Sequence, residues 1–376
     1  MDLEDNVFML PGPVKIHPRI LREMSKPSVA HRSPEFTEVI RETRDLLKYL
    51  FGRDNDVALV SGSGTAGMDM SISNLFGKED KVLNIDNGKF GERLGDLSEM
   101  HSNSVRLAYE WGKPPDLDQI AAELEKGGFK GITLTHNETS AGLTNPAKEI
   151  GALAKKHDVL YILDGITSIG GLEVKLDEWG VDVAIMGSQK CLGAPAGMSA
   201  LSVSERAMEE SYPEACYYLN LKKHVEKLRD KSQTPWTPAV PLIIAMREAL
   251  LMLKEEGLEN RIARIAKLGA ATREAMDGLG IEMFPVREYA SDTVNAMKYP
   301  EGIEDSKFRD LLKKKHNVIV GGAQAHIKGK VFRIGTMGVC TFTDLMACIG
   351  AIESTLKELG FKFEEGTGTG AVVKHM

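Results

Sequence analysis

Val57-Ala58-Leu59-Val60-Ser61-Gly62-Ser63-Gly64-Thr65-Ala66-Gly67 decides how this chain folds: a short apolar run breaks into a glycine-rich turn, then into an amphipathic stretch through Met68, Ile72 and Leu75. The run predicts a buried strand, and the apolar spacing after the turn predicts a helix. Glycines at 62, 64 and 67 let backbone N–H groups come close to an anion, and a helix start adds partial positive charge. The turn is a candidate phosphate cradle. It also satisfies G-x-G-x-x-G, and Asp86 closes the next apolar run 86 − 67 = 19 residues after Gly67, near the acid of a dinucleotide fingerprint. On this stretch alone, a nicotinamide enzyme and a ligand-free tight turn both stay open.

Outward from that turn the same alternation repeats. Short β-rich runs fall at Val57–Val60, Lys81–Ile85, Ser104–Leu107, Gly131–Thr135, Leu160–Leu163, Val181–Ile185 and Met198–Val203, with helical patterns between several of them. Such alternation predicts an α/β fold, a mostly parallel seven-stranded sheet covered by helices. Upstream, Ser33 is placed as N-cap and Pro34 as first helical residue, with Phe36, Val39, Ile40, Thr43, Leu47 and Leu50 on one stripe and Gly52 as terminator.

Past about residue 205 the pattern turns helical, notably over 239–254 and 258–276. The remainder mixes strands near 293–297, 318–320 and 331–334 with helices near 305–315 and 343–359, the make-up of a smaller α+β domain. The expected division is a large domain over 16–260 and a small one formed by 1–15 with 261–376. Gly366 to Gly370 reads as a flexible tail.

Composition narrows the partners. The formal charge is 47 − 54 = −7, which gives no global positive field to hold a nucleic acid. Cys191, Cys216, Cys340 and Cys348 form no CxxC pair and read as small buried hydrophobes in a reducing compartment. The acidic start and the lack of a long apolar run predict a cytoplasmic protein with no membrane segment, and no residue cluster calls for a metal.

Two further strands end in ionisable residues that a nicotinamide site would not require. Asp164 follows Leu160-Tyr161-Ile162-Leu163, so its carboxylate is expected at the edge of the sheet where open α/β folds bind ligands. Lys190 lies in the small-residue loop from Met186 to Pro195. Alone, either could be ordinary, a strand-end cap or a solvated loop lysine. Burial would lower the ammonium pKa and free an amine to attack a carbonyl. An acid, an amine and a phosphate cradle on one sheet edge together fit pyridoxal phosphate. The lysine would form the Schiff base and shuttle a Cα proton, and the acid would keep the pyridine nitrogen protonated.

These residues, with the opening Pro11-Gly12-Pro13, the segment His136-Asn137-Glu138-Thr139-Ser140-Ala141-Gly142, and Phe332-Arg333-Ile334-Gly335, make the chain resemble the class V, fold-type I aminotransferases over nearly its whole length. That family includes serine–pyruvate, alanine–glyoxylate and archaeal aspartate aminotransferases. The resemblance implies Lys190 as the cofactor lysine, Asp164 on the pyridine nitrogen and Thr139 near the ring's O3′, with Ser63, Gly64, Thr65 and Gln189 around the phosphate. It implies Phe90 over the ring, where many relatives have tryptophan, and Arg333 with Gly12 at the substrate. Thr237 would reach the phosphate of a neighbouring subunit, which implies a homodimer with shared sites.

For substrates, the resemblance leans toward aspartate with 2-oxoglutarate, with serine or alanine and glyoxylate or pyruvate as the alternative. An acidic substrate needs a second cation, for which Lys15 and Arg32 are the candidates. A cysteine desulfurase would need a mobile nucleophile, and Cys340 is the residue to ask about.

Overall fold

The computed structural model describes residues 6–212 and 215–376. The seven expected strands form one sheet in the spatial order Asp56–Ser61, Met198–Val203, Val183–Gly187, Leu160–Asp164, Phe129–Thr135, Lys81–Asp86, Asn103–Ala108. Only Met198–Val203 runs against its neighbours, so the other six present their C-terminal ends along one edge.

Side-chain alternation makes this sheet the middle of a sandwich. Leu59, Ile85, Leu134, Tyr161, Leu163 and Met186 belong to one core with residues of helices Pro34–Phe51 and Val240–Glu256. Ala58, Val60, Val82, Ile162 and Ile185 face a second core with helix Gly64–Leu75. The period of two puts successive residues on opposite faces, and helices cover both.

Helix Pro34–Phe51 starts and stops where local chemistry dictates. Ser33 Oγ accepts from the Phe36 amide at 3.3 Å, and Gly52 closes the helix at φ 68°, a left-handed conformation that glycine adopts without a Cβ penalty. Phe36, Ile40, Thr43, Leu47 and Leu50 are buried along its inner stripe.

Strand order removes the dinucleotide reading. A dinucleotide fold needs the strand before the glycine turn beside the strand that ends in the acid. Here Asp56–Ser61 is an edge strand, and four strands separate it from Lys81–Asp86. At ~4.8 Å per strand that is roughly 24 Å, too far for Asp86 to serve a nucleotide seated on the glycine turn.

A smaller four-stranded sheet joins the N-terminal strand to three from the last third of the chain, in the order Val7–Met9, Val318–Gly322, Val331–Gly335, Val294–Lys298. The first strand, which the sequence pattern did not reveal, pairs in parallel with Val318–Val320. Met9, Phe308, Phe332, Leu345 and Ile352 share a core of their own, joined by Leu268 and Met276 of helix Leu258–Gly278.

The expected flexible tail is instead helix Thr367–His375. The Glu353 carboxylate accepts from the amides of Gly368 and Thr369 at 2.8 and 3.1 Å, and Ala371 and Val372 are buried in the small core. Side-chain capping and burial outweigh the low helix propensity of Gly368 and Gly370.

Candidate active site

Asp164 is the last residue of its strand and only 3% exposed. Its Oδ1 accepts from the Ile166 amide at 2.9 Å, and its Oδ2 accepts from Thr135 Oγ1 at 3.3 Å. Burial pushes its pKa up to about 7, with Glu138 adding negative charge nearby and the two hydrogen bonds opposing the rise.

Lys190 follows the adjacent parallel strand Val183–Gly187. It is buried, and Nζ donates to the Pro11 carbonyl at 2.9 Å. Burial, then the nearby Arg333 charge, pulls its pKa down to about 8. Gly12 holds φ +105°, and a Cβ there would run into the Lys190 side chain. Glycine at position 12 thus lets the backbone pass close to the Lys190 side chain.

Arg333 projects from the small sheet. Nη2 and Nε donate to the Gly322 carbonyl at 2.6 and 3.0 Å, and Nη1 donates to the Thr139 carbonyl at 2.9 Å. Burial lowers its pKa to about 10 while Glu138 draws it back up. Among the described residues no carboxylate lies within ion-pair distance of this guanidinium.

The segment Glu138-Thr139-Ser140 ties these parts together. Glu138 is fully buried, and its carboxylate accepts from the amides of Phe90, Gly91 and Ser140 and from Ser140 Oγ, at 2.6–3.1 Å. It therefore fixes the start of helix Lys89–His101, and with it Phe90. Thr139 Oγ1 meets Thr167 Oγ1 at 2.9 Å. No local pattern gives Glu138 its task, because the Phe90 and Gly91 amides it holds lie 48 and 47 residues upstream.

At the glycine turn, Ser63 is the N-cap of helix Gly64–Leu75, and its side chain makes no capping bond. A Cβ on Gly64 would strike Ile166, which follows Asp164 closely in sequence, so the turn sits tight against the loop that carries the acid. Thr65 Oγ1 accepts from Arg93, a residue the sequence reading passed over. Its place three residues after Phe90, one helical turn on, was the available signal. Gln189 Oε1 is buried without a partner. Thr237 is exposed just before helix Val240–Glu256, two residues from Ala239, whose amide donates to Ser61 Oγ at 3.0 Å.

The residues present fit pyridoxal phosphate. A buried carboxyl and a buried amine with converging pKa values, and a helix start with an uncommitted Ser63 hydroxyl, are what its ring, aldehyde and phosphate would engage. Cys340, by contrast, is buried beside Met9, and burial pushes its thiol up to about 12, which leaves little thiolate for a desulfurase nucleophile.

This fold and donor set define a pyridoxal-phosphate enzyme of fold type I. Residues 20–340 match the family model for class-V aminotransferases, and the chain belongs to that family. It is 42% identical to an uncharacterized aminotransferase of Methanocaldococcus jannaschii, over 97% of this chain and 96% of that one. It is 33% identical to a serine–glyoxylate aminotransferase of Methylorubrum extorquens, over 99% and 96%. The solved ureidoglycine–glyoxylate aminotransferase of Bacillus subtilis superposes with a TM-score of 0.94 at 31% identity, covering 100% of this chain and 99% of that one. The protein is an aminotransferase, and its cofactor is pyridoxal phosphate.

Proposed function

We propose that the chain moves an amino group from a small L-amino acid, serine or alanine, to glyoxylate or pyruvate. The observation that carries the reaction type is the buried Arg333 guanidinium, free of any carboxylate among the described residues, whose charge acts on the Lys190 amine. Glyoxylate as acceptor is supported by relatives such as the serine–glyoxylate and ureidoglycine–glyoxylate enzymes. They favour it over the aspartate:2-oxoglutarate reading toward which the sequence leaned. Arg32, one candidate for a second substrate carboxylate, is exposed and donates to Gln233 Oε1 and the Thr234 carbonyl at 2.7 and 2.9 Å.

Bound in this site, pyridoxal phosphate supplies an aldehyde for amines and a ring that takes up the electrons released when a Cα–H bond breaks. Lys190 would provide the amine that holds it, and the same amine would carry the Cα proton. An amine with a pKa near 8 is a far better base at neutral pH than an ordinary lysine. Asp164 keeps a proton on the pyridine nitrogen. Arg333 grips the substrate α-carboxylate by a two-pronged hydrogen bond, and Phe90, held in place by Glu138, would help hold the ring. Ser63, Gly64, Thr65 and Gln189 hold the phosphate, and Gly12 flanks the substrate beside Lys190. Thr237 completes the phosphate site of a second subunit in a homodimer. The four free cysteines support a cytoplasmic setting.

The deciding experiment measures half-reaction rates with serine, alanine and aspartate, then with glyoxylate, pyruvate and 2-oxoglutarate. We expect kcat/KM for glyoxylate or pyruvate to exceed that for 2-oxoglutarate by at least about tenfold, since Arg32 is committed to Gln233 and Thr234 and an extra carboxylate left unpaired is costly. A higher value for 2-oxoglutarate would overturn the proposal.

The clamp has its own test. Arg333→Lys keeps the charge and loses the fork. It should lower kcat/KM for amino acids and oxo acids alike by about 100-fold, near 3 kcal/mol, and leave amines without a carboxylate within about threefold. Equal losses for such amines would place the clamp elsewhere.

A further inference from the structure

Arg93 has no part in the chemistry assigned above, yet it sits among the site residues. It lies one turn after Phe90 on helix Lys89–His101, so the two share a face. Its Nη1 donates to Thr65 Oγ1 at 3.0 Å, and its guanidinium carbon stands 4.8 Å from the centroid of the Phe90 ring, within cation–π range. Its charge reaches both Asp164 and Lys190, lowering the pKa of each. The acid on the adjacent position, Glu92, is committed to Lys89 at 2.6 Å. Among the described residues no carboxylate lies within ion-pair distance of Arg93.

A partly buried guanidinium with no anion is costly unless a ligand supplies one. The Thr65 hydroxyl has one proton and two lone pairs. With a lone pair taken by Arg93, the hydroxyl proton is left for an acceptor. We propose that Arg93 is a positioning residue of the phosphate cradle, braced on Phe90, which fixes the Thr65 hydroxyl as a donor to the phosphate and adds the cationic charge that the glycine turn lacks. The proposal rests on the assignment of the Ser63–Thr65 turn to the phosphate.

Cofactor-free wild type, Arg93→Met, Arg93→Lys and Thr65→Val are titrated with pyridoxal phosphate and, separately, with pyridoxal, which lacks the phosphate. Arg93→Met should raise the Kd for pyridoxal phosphate by about tenfold or more and that for pyridoxal by less than about twofold, with Arg93→Lys between wild type and Arg93→Met. Adding Arg93→Met to Thr65→Val should cost less than it does in wild type, because the two act on one hydrogen bond. Equal weakening of both ligands, additive losses, or an unchanged Kd for pyridoxal phosphate would overturn the proposal. If Arg93→Met does not fold, Arg93→Lys and Thr65→Val carry the same comparison. A wild type that shows no preference for the phosphorylated form would instead sink the phosphate assignment itself.

Discussion

Lys190→Ala is expected to abolish covalent attachment of the cofactor and to lower turnover by about 10⁴-fold or more, because one substitution removes both the nucleophile and the proton carrier. Borohydride reduction of wild type followed by peptide mapping should place the label on Lys190, and the variant should carry none. The variant is expected to fold and still to hold pyridoxal phosphate non-covalently, since Asp164 and the glycine turn are untouched. It also relieves the burial of an amine that donates one hydrogen bond, to Pro11. A small primary amine added to the variant should restore part of the rate, with stronger bases restoring more. A labelled lysine anywhere else, or turnover within tenfold of wild type, would end the assignment.

Asp164 and Lys190 were legible in the sequence for the same physical reason. An ionisable residue that closes an apolar run, or sits among small residues between two such runs, must emerge at a strand end or be buried at a cost. Helix Pro34–Phe51 was legible because its cap, stripe and terminator all act within a few residues of one another. What stayed hidden depends on partners far along the chain. The G-x-G-x-x-G turn could not be told from a dinucleotide site until the strand order put Asp86 far from it. The helix Thr367–His375 depends on Glu353, 15 residues upstream of Gly368, and on a core no local pattern predicts. Glu138 and Arg93 escaped for the same reason. The first answers amides of the Phe90 segment, and the second answers a hydroxyl 28 residues upstream.

The second large effect is expected at Asp164, and it has a thermodynamic face as well as a kinetic one. Asp164→Asn keeps the shape and removes the anion that holds a proton on the pyridine nitrogen. The rate of Cα–H cleavage should fall by about a thousandfold, with a full primary isotope effect on a Cα-deuterated donor and little change in substrate KM. In the cofactor-free protein the same carboxyl titrates near 7 rather than in the ordinary carboxylate range, because it is buried. The folded chain therefore keeps a proton that the unfolded chain gives up. The stability contributed by the protonated acid is whole below pH about 4, and is lost as pH rises toward and through about 7. Asparagine does not titrate, so the difference in unfolding free energy between cofactor-free Asp164→Asn and wild type isolates this group. The variant should gain on wild type by on the order of 2 kcal/mol between pH 5 and 7.5, and the difference should level off above that. A difference that stays flat across this window would mean that the carboxyl is ionised throughout, and that burial does not prepare it to share a proton with the ring.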